Sequence, residues 1–175
     1  MKKMGIIGAG GHARVIADAL SHSDEYLLTG FFDDSIAVGE VVFGEIKVLG
    51  TLEDFTSKRI QLDACIIGIG DNGIRRKLVS ETTGVSWATI IHPKAIIATN
   101  VVIGQGAVIL AGAVINSNSE IGRHSIINSN VVVDHDCRVG EFSHLAIGTL
   151  LGSNSIVSEF VKTQIGQVIP VFSTI

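Results

Sequence analysis

Four residues in the second half of the chain have the types and spacing for proton chemistry: Asp134, His135 and Asp136 in a row, and His144 nine residues later. A carboxylate beside an imidazole fixes its tautomer and raises its basicity. A general base needs both to take a proton from an attacking amine or hydroxyl. Asn116, Asn118, Asn128 and Asn130 lie close by in sequence. The plainer alternative is a solvated polar edge with incidental histidines, and composition leaves both open. A second group sits near the start, where Gly8-Ala9-Gly10-Gly11-His12 follows the apolar residues 4–7. Read as G-x-G-x-x-A over Gly8, Gly10 and Ala13, it predicts a strand–turn–helix cradle whose backbone amides can approach a pyrophosphate. The chain reaches Asp33-Asp34 near the spacing at which a carboxylate grips a ribose or sugar hydroxyl. A lone glycine motif is weak, so a tight turn without a ligand stays open as well.

The first candidates are positioned by a repeat. Stepping by six from Ile91 gives Ile97, Ile103, Ile109, Ile115, Ile121, Ile127, Val133, Val139, Leu145, Leu151 and Val157, all aliphatic. Four residues after each stands a small or β-branched one, from Ala95 and Val101 through Cys137 and Ser143 to Val161. Neither a helix nor simple strand alternation keeps a six-residue beat, so the pattern predicts a solenoid of stacked repeats with one shared core. Three hexads make an eighteen-residue triangular coil. The aliphatic residue points inward, and the glycines at Gly104, Gly122, Gly140 and Gly152 are expected to serve unusual φ. Asn116 should then lie one coil below Asp134, and Asn118 below Asp136.

The first half reads as a small α/β sheet. A helix is expected from His12 to about Leu20 with Val15, Ile16, Ala19 and Leu20 on one face. A strand over Tyr26–Phe32 follows, then a strand over 47–50 and a helix-like stretch over 52–58. The next strand is expected over 64–69, ending in Gly70-Asp71-Asn72, with a helix to about Glu81 whose inward residues are Ile74, Leu78 and Val79. Residues 87–90 feed the coil through His92-Pro93. Too little chain precedes the repeat for two dinucleotide-binding halves, so the expected ligand is a nucleotide sugar, not NAD, bound beyond the C-terminal ends of the strands.

The 175 residues carry a net charge of −4, with basic clusters only at Lys2-Lys3 and Arg75-Arg76-Lys77, which argues against a nucleic-acid surface. No apolar run approaches the roughly 20 residues of a spanning helix, so membrane insertion is not expected. Gly5 and Gly8 interrupt any signal-peptide core. Cys65 and Cys137 are expected as buried free thiols in a reducing cytoplasm.

Gly8-Ala9-Gly10-Gly11-His12, Phe32-Asp33-Asp34, Gly68-Ile69-Gly70-Asp71-Asn72, Ile91-His92-Pro93 and Val133-Asp134-His135-Asp136-Cys137 together resemble the bacterial sugar O- and N-acetyltransferases. This group includes sialic acid O-acetyltransferases and UDP-4-amino-sugar N-acetyltransferases. The resemblance implies a Rossmann-like nucleotide-sugar-binding domain over 1–88 and a left-handed parallel β-helix acyltransferase domain over 89–175. It implies acetyl-CoA as co-substrate, a UDP-linked amino sugar as acceptor, a homotrimer and a place in glycan assembly. His135 would be the base and Asp136 the acid that raises its basicity. Asn128, His144 and Gly166 would contact acetyl-CoA or substrate. Gly10, Gly11, His12, Asp33, Asp34 and Gly70 would hold the nucleotide sugar.

The beat breaks at Thr163, Gln167 stands at a corner that should be small, and Ile165-Gly166 looks like a repeat start displaced by two. Relatives run on through further coils, so the end suggests either a shortened member or a damaged coenzyme site. Sialic-acid-type O-acetylation and a non-catalytic nucleotide-sugar-binding homologue remain alternatives. No metal is expected. Zinc carbonic anhydrases built on this coil resemble a pattern of two histidines five apart, whereas His124, His135 and His144 are spaced eleven and nine apart.

Overall fold

The computed structural model describes residues 1–57 and 62–175. The apolar run after Lys3 forms β1 (Lys2–Ile7), followed by α1 (Gly11–Ser21), β2 (Tyr26–Phe32), β3 (Val41–Phe43), β4 (Ile46–Gly50), α2 (Leu52–Ser57), β5 (Ala64–Ile67) and α3 (Asn72–Glu81). The strands lie in the order β3-β4-β2-β1-β5, parallel except for the β3–β4 pair, which the sequence reading did not foresee. The stretch expected over 52–58 is α2, with Lys58 outside the described residues. β5 stops at Ile67, two residues earlier than expected. Gly68 is required there: a Cβ would meet the Ala13 Cβ at 2.7 Å, so the small third position of the glycine motif serves close helix–strand packing.

Two helix faces differ from expectation. Val15 is exposed and Ala13, Ile16, Ala17, Ala19 and Leu20 make the buried side of α1. In α3, Ile74 is exposed, while Asn72 and Arg75 are buried. The helix turns these polar residues toward the coil, while Leu78 and Val79 pack as expected against the apolar cluster of Ile7, Cys65, Ile67 and Trp87.

From Ile90 the chain winds into a parallel β-helix of two-residue strands. The first face stacks Ile90–Ile91, Val108–Ile109, Ile126–Ile127 and His144–Leu145. The second stacks Ile96–Ile97, Val114–Ile115, Val132–Val133, Leu150–Leu151 and Val168–Ile169. The third stacks Val102–Ile103, Glu120–Ile121, Arg138–Val139 and Ile156–Val157. Every pairing joins residues eighteen apart, such as Ile121 with Val139 and Ile127 with Leu145. The aliphatic series fills the prism, and the small corner residues from Ala107 to Ser155 are buried beneath the turns. Ile91 is the exception at the near end, exposed because no coil lies below it.

The glycines after the aliphatic positions play a different part from the one expected. Gly104, Gly122, Gly140 and Gly152 have ordinary φ, but a Cβ on Gly140 would stand 2.4 Å from the Glu159 nitrogen, and the others meet the next coil as closely. They permit close stacking. The left-handed φ falls two residues later, once per hexad, on Asn100, Gly106, Gly112, Asn118, His124, Asn130, Asp136, Phe142, Gly148, Asn154, Phe160, Gly166 and Phe172.

The far end keeps the register. Thr163 occupies the inward slot eighteen residues after Leu145, is buried, and satisfies its hydroxyl with Thr149 Oγ1 at 2.7 Å and the Ala146 N–H at 2.8 Å. Gly166 is the left-handed corner residue above Gly148, not a displaced start. Gln167 is accommodated at its corner because its Oε1 accepts from the Gln164 N–H at 2.9 Å. No described helix is long and apolar enough to cross a membrane.

Candidate functional site

The corner between the second and third faces carries His135. Left-handed φ suits asparagine and aspartate, whose short polar side chains bond locally. The column Asn100, Asn118, Asp136 and Asn154 obeys that preference. Asn100 donates to Asn118 at 3.4 Å, Asn118 Nδ2 donates to Asp136 Oδ1 at 3.2 Å, and Asp136 Oδ2 meets His135 Nδ1 at 2.7 Å. Asn116 donates to Asp134 Oδ1 at 3.0 Å, which also accepts the His135 N–H at 2.8 Å. Both stacking expectations therefore hold. The carboxylate takes the proton side of Nδ1, which leaves the Nε2 lone pair of an exposed ring facing outward. The hydrogen bond to Asp136, aided by the charges of Asp134 and Asp136, raises the His135 pKa above its ordinary value. The same bond, with that from Asn118, holds Asp136 below the usual carboxylate range.

The first face carries a second cluster under the α/β sheet. His144 points away from the prism but is covered. Its Nδ1 lies 3.2 Å from the Gly70 carbonyl oxygen, and its Nε2 lies 3.1 Å from Asn128 Nδ2. Asn128 Oδ1 accepts the Ser129 N–H at 2.8 Å, so its amide nitrogen is the donor to His144. That fixes His144 as the neutral Nδ1–H tautomer, donating to Gly70. His12, in the first turn of α1, stacks obliquely on His144 with ring centroids 6.0 Å apart. His12 Nε2 is sealed from solvent and has no hydrogen-bond partner. Burial, then the charges of His144, Arg75 and Lys162, lower the His12 pKa to about 4. Burial first, then Arg75 and Lys162, lower that of His144 to about 4.

The glycine loop beside them is built for approach. Gly8 has φ +94°, and Gly10 caps α1 with no side-chain hydrogen bond, so the first amides of the helix have no side-chain acceptor. A Cβ on Gly10 or Gly11 would meet nothing within 4 Å. Asp33 is committed to the loop itself: Oδ2 accepts the Ala9 N–H at 2.7 Å, and Oδ1 accepts from Ser35 and Ile36. Asp34 Oδ1 accepts the Leu52 N–H at 2.9 Å. Gly10, Gly11, His12, Gly70, Asn128 and His144 are therefore brought together, with Asp33 shaping the loop from behind. His135 and Asp136 stand at the corner opposite the first face, and Gly166 at the corner between the first and second faces.

Arg75 had no place in the sequence reading, yet it bolts the two halves together. Its guanidinium donates to the carbonyls of Phe142 (2.7 Å), His124 (3.1 Å), Ile69 (3.2 Å) and Ser143 (3.3 Å), and to Asn72 Oδ1 (2.9 Å). Asn72 Nδ2 donates to the Phe160 carbonyl at 2.7 Å. An aromatic ladder runs up the same corner, with His124 stacked on Phe142, Phe142 on Phe160, and Trp87 edge-on to His124. The only hint in the sequence was a basic run placed directly after Gly70-Asp71-Asn72. Elsewhere Asp18, His22 and His92 bring potential ligand atoms within 4.8 Å of one another. His92 Nδ1 accepts the Lys94 N–H at 3.0 Å, so the ring's proton sits on Nε2 and it offers a donor, not a metal ligand.

The family descriptions "PglD N-terminal domain" and "Bacterial transferase hexapeptide (six repeats)" match residues 3–82 and 100–135. A UDP-N-acetylbacillosamine N-acetyltransferase of Bacillus subtilis is 35% identical over 116 residues, which span 63% of this chain and 52% of that relative. The chain thus matches about half the length of that protein. PerB of Caulobacter crescentus, solved with CoA and GDP-perosamine, is 32% identical, with 99% of this chain and 86% of PerB covered at a TM-score of 0.73. The acetyltransferase domain of PglB from Neisseria gonorrhoeae, solved with acetyl coenzyme A, is 29% identical, covering 99% and 95% of the two chains at 0.71. These likenesses bear out the α/β unit and left-handed β-helix, and with them the chain belongs to the hexapeptide-repeat bacterial sugar acetyltransferases.

Proposed function

We propose that the chain is an acetyl-CoA-dependent N-acetyltransferase acting on a nucleotide-linked amino sugar of the UDP-4-amino-4,6-dideoxy type. Residues 1–88 hold the nucleotide and residues 89–175 carry the transfer. The His135–Asp136 pair carries the reading. An exposed imidazole with its Nδ1 edge fixed on a carboxylate and its Nε2 free is the arrangement a general base for an amine requires. The N-acetyltransferase relative and the PerB complex support it further.

Acetyl-CoA supplies an activated acetyl group. His135 Nε2 takes the proton from the sugar's amine as the nitrogen attacks the thioester carbonyl, the Asp136 charge steadies the imidazolium that results, and the adduct breaks its C–S bond to expel coenzyme A thiolate, which takes that proton and leaves as the thiol. Gly10, Gly11 and the His12 amide hold the diphosphate at the start of α1, and Asn128 and His144 line the way to the sugar.

One subunit cannot present His135 and His144 to the same ligand, because a corner and the face opposite point apart. A cyclic homotrimer with head-to-tail contacts places His135 of one subunit against His144 of the next. The second face offers the surface for it: Ile96, Val114, Val132, Leu150 and Val168 form one outward aliphatic row, with Ile96 63% and Val168 65% exposed. The buried free thiols Cys65 and Cys137 suit a reducing cytoplasm, where acetyl-CoA and nucleotide sugars are made.

The test is release of free coenzyme A thiol when the purified chain and acetyl-CoA are offered UDP- and GDP-linked 4-amino sugars, with sialic acids in parallel. Turnover of an amino sugar is expected. Release with sialic acids alone, or with no sugar, overturns the reading.

A further inference from the structure

Lys162 stands one coil beyond His144 on the outward file of the first face. The two residues are joined by a parallel bridge, with the His144 N–H donating to the Val161 carbonyl at 2.8 Å and the Thr163 N–H to the His144 carbonyl at 3.0 Å. Asn72 grips the same rung through the Phe160 and Val161 carbonyls at 2.7 and 3.3 Å. The backbone under Lys162 is therefore held from both sides. Side chains in register on a parallel sheet point the same way. His144 points at Gly70, so Lys162 emerges one strand spacing away, toward the mouth shared by the glycine loops after β1 and β5.

The charge there is uncompensated. Lys162 is exposed and forms no ion pair with a described residue. Arg75, the other cation acting on His12 and His144, is fully engaged with carbonyls. The mouth also holds the uncapped start of α1 and the unpartnered His12 Nε2. An uncapped helix start with a free ammonium beside it forms a site for a multiply charged anion.

We infer that Lys162 is the side chain that binds the diphosphate of the nucleotide sugar, so that the coil, and not only the glycine loop, holds the nucleotide. The inference rests on the nucleotide-sugar reading above. A diphosphate also occurs in coenzyme A. The nucleotide sugar is the source assigned here because Lys162 lies on the face covered by the glycine loops, which are the elements proposed to hold the nucleotide.

Isothermal titration of UDP, GDP and coenzyme A into the wild-type chain and into Lys162→Ala, Lys162→Glu and Lys162→Arg separates the sources. Loss of one charged hydrogen bond should weaken the preferred nucleoside diphosphate about tenfold in Lys162→Ala. Lys162→Glu should weaken it further, and Lys162→Arg should stay within about threefold of wild type. Coenzyme A binding should not move and the melting temperature should stay within a few degrees, because the side chain is exposed and has no ion pair or side-chain hydrogen bond among the described residues. An Ala variant with wild-type affinity for the diphosphate, or one that loses coenzyme A instead, overturns the inference alone. If neither UDP nor GDP binds the wild-type chain, the inference and the nucleotide-sugar reading fall together.

Discussion

Replacing Arg75 with leucine should unfasten the α/β unit from the coil. The guanidinium is buried and reaches four carbonyls and one amide oxygen. Burying a charge costs several kcal/mol, and removing one is sometimes neutral when its partners are replaced along with it. Here the partners are backbone carbonyls that no substitution removes. Ser143 keeps the Ile126 N–H at 2.9 Å, but the His124 and Phe142 carbonyls have no second donor among the described residues. Two orphaned acceptors at about 1–3 kcal/mol each sum to about 2–6 kcal/mol, and the relieved desolvation of the guanidinium trims the loss to about 2–3 kcal/mol. That is a large share of an ordinary domain's stability, about 5–15 kcal/mol. Arg75→Lys should fall between, since one ammonium cannot span carbonyls on two rungs. The natural probe is Trp87, 5.5 Å from His124 at the junction, followed by fluorescence through urea unfolding. A leucine variant within about 1 kcal/mol of wild type would refute the argument.

Three further outcomes follow from the geometry. Val139→Asp puts a charge in the prism and should abolish folded protein, whereas Arg138→Asp on the outward position of the same strand should melt within a few degrees of wild type; similar losses from both would contradict the six-residue register. His135→Ala should lower kcat by about 10²–10⁴ with nucleotide affinity kept, and Asp136→Asn, by removing what raises the imidazole's pKa, should shift the acidic limb of the rate profile to lower pH; an Ala variant with normal turnover removes His135 from the mechanism. His12, His124 and His144 are held neutral with pKa values lowered to about 4, so the unfolded chain binds more protons below its histidine pKa near 6.5. Stability should therefore fall as pH drops from 6.5 toward 4, by up to about 1.4 kcal/mol per pH unit for each histidine, and a flat denaturation midpoint across that range would count against their burial.

The coil was legible because its inward slots admit so few residue types that the beat survives twelve successive positions. The corners were less so. Left-handed φ falls on Asn, Asp, His, Phe and Gly alike, since stacking of the whole coil imposes it and no single composition marks it. That is also why Thr163 and Gln167 looked like failures: each is polar where an apolar or small residue is usual, and each is satisfied by partners that only the folded coil supplies. Arg75 was hidden for a related reason. Its acceptors are main-chain carbonyls up to 68 residues away, and a carbonyl leaves no mark on sequence. Lys162 is intermediate, because the eighteen-residue register already put it beside His144, but only the glycine loops give that file a purpose.

Asp136 shows why the catalytic candidates could be read while the bolt could not. Its corner demands a residue that tolerates left-handed φ, and the column below supplies asparagine at positions 100 and 118. An aspartate satisfies the same backbone and adds a charge. The amide beneath it then donates to one carboxylate oxygen and leaves the other for His135. One substitution in an otherwise structural ladder thus converts a turn into half of a hydrogen-bonded His–Asp pair, the pair proposed above as base and supporting carboxylate. The repeat makes the anomaly visible, because positions 100, 118 and 154 of the same column all carry asparagine.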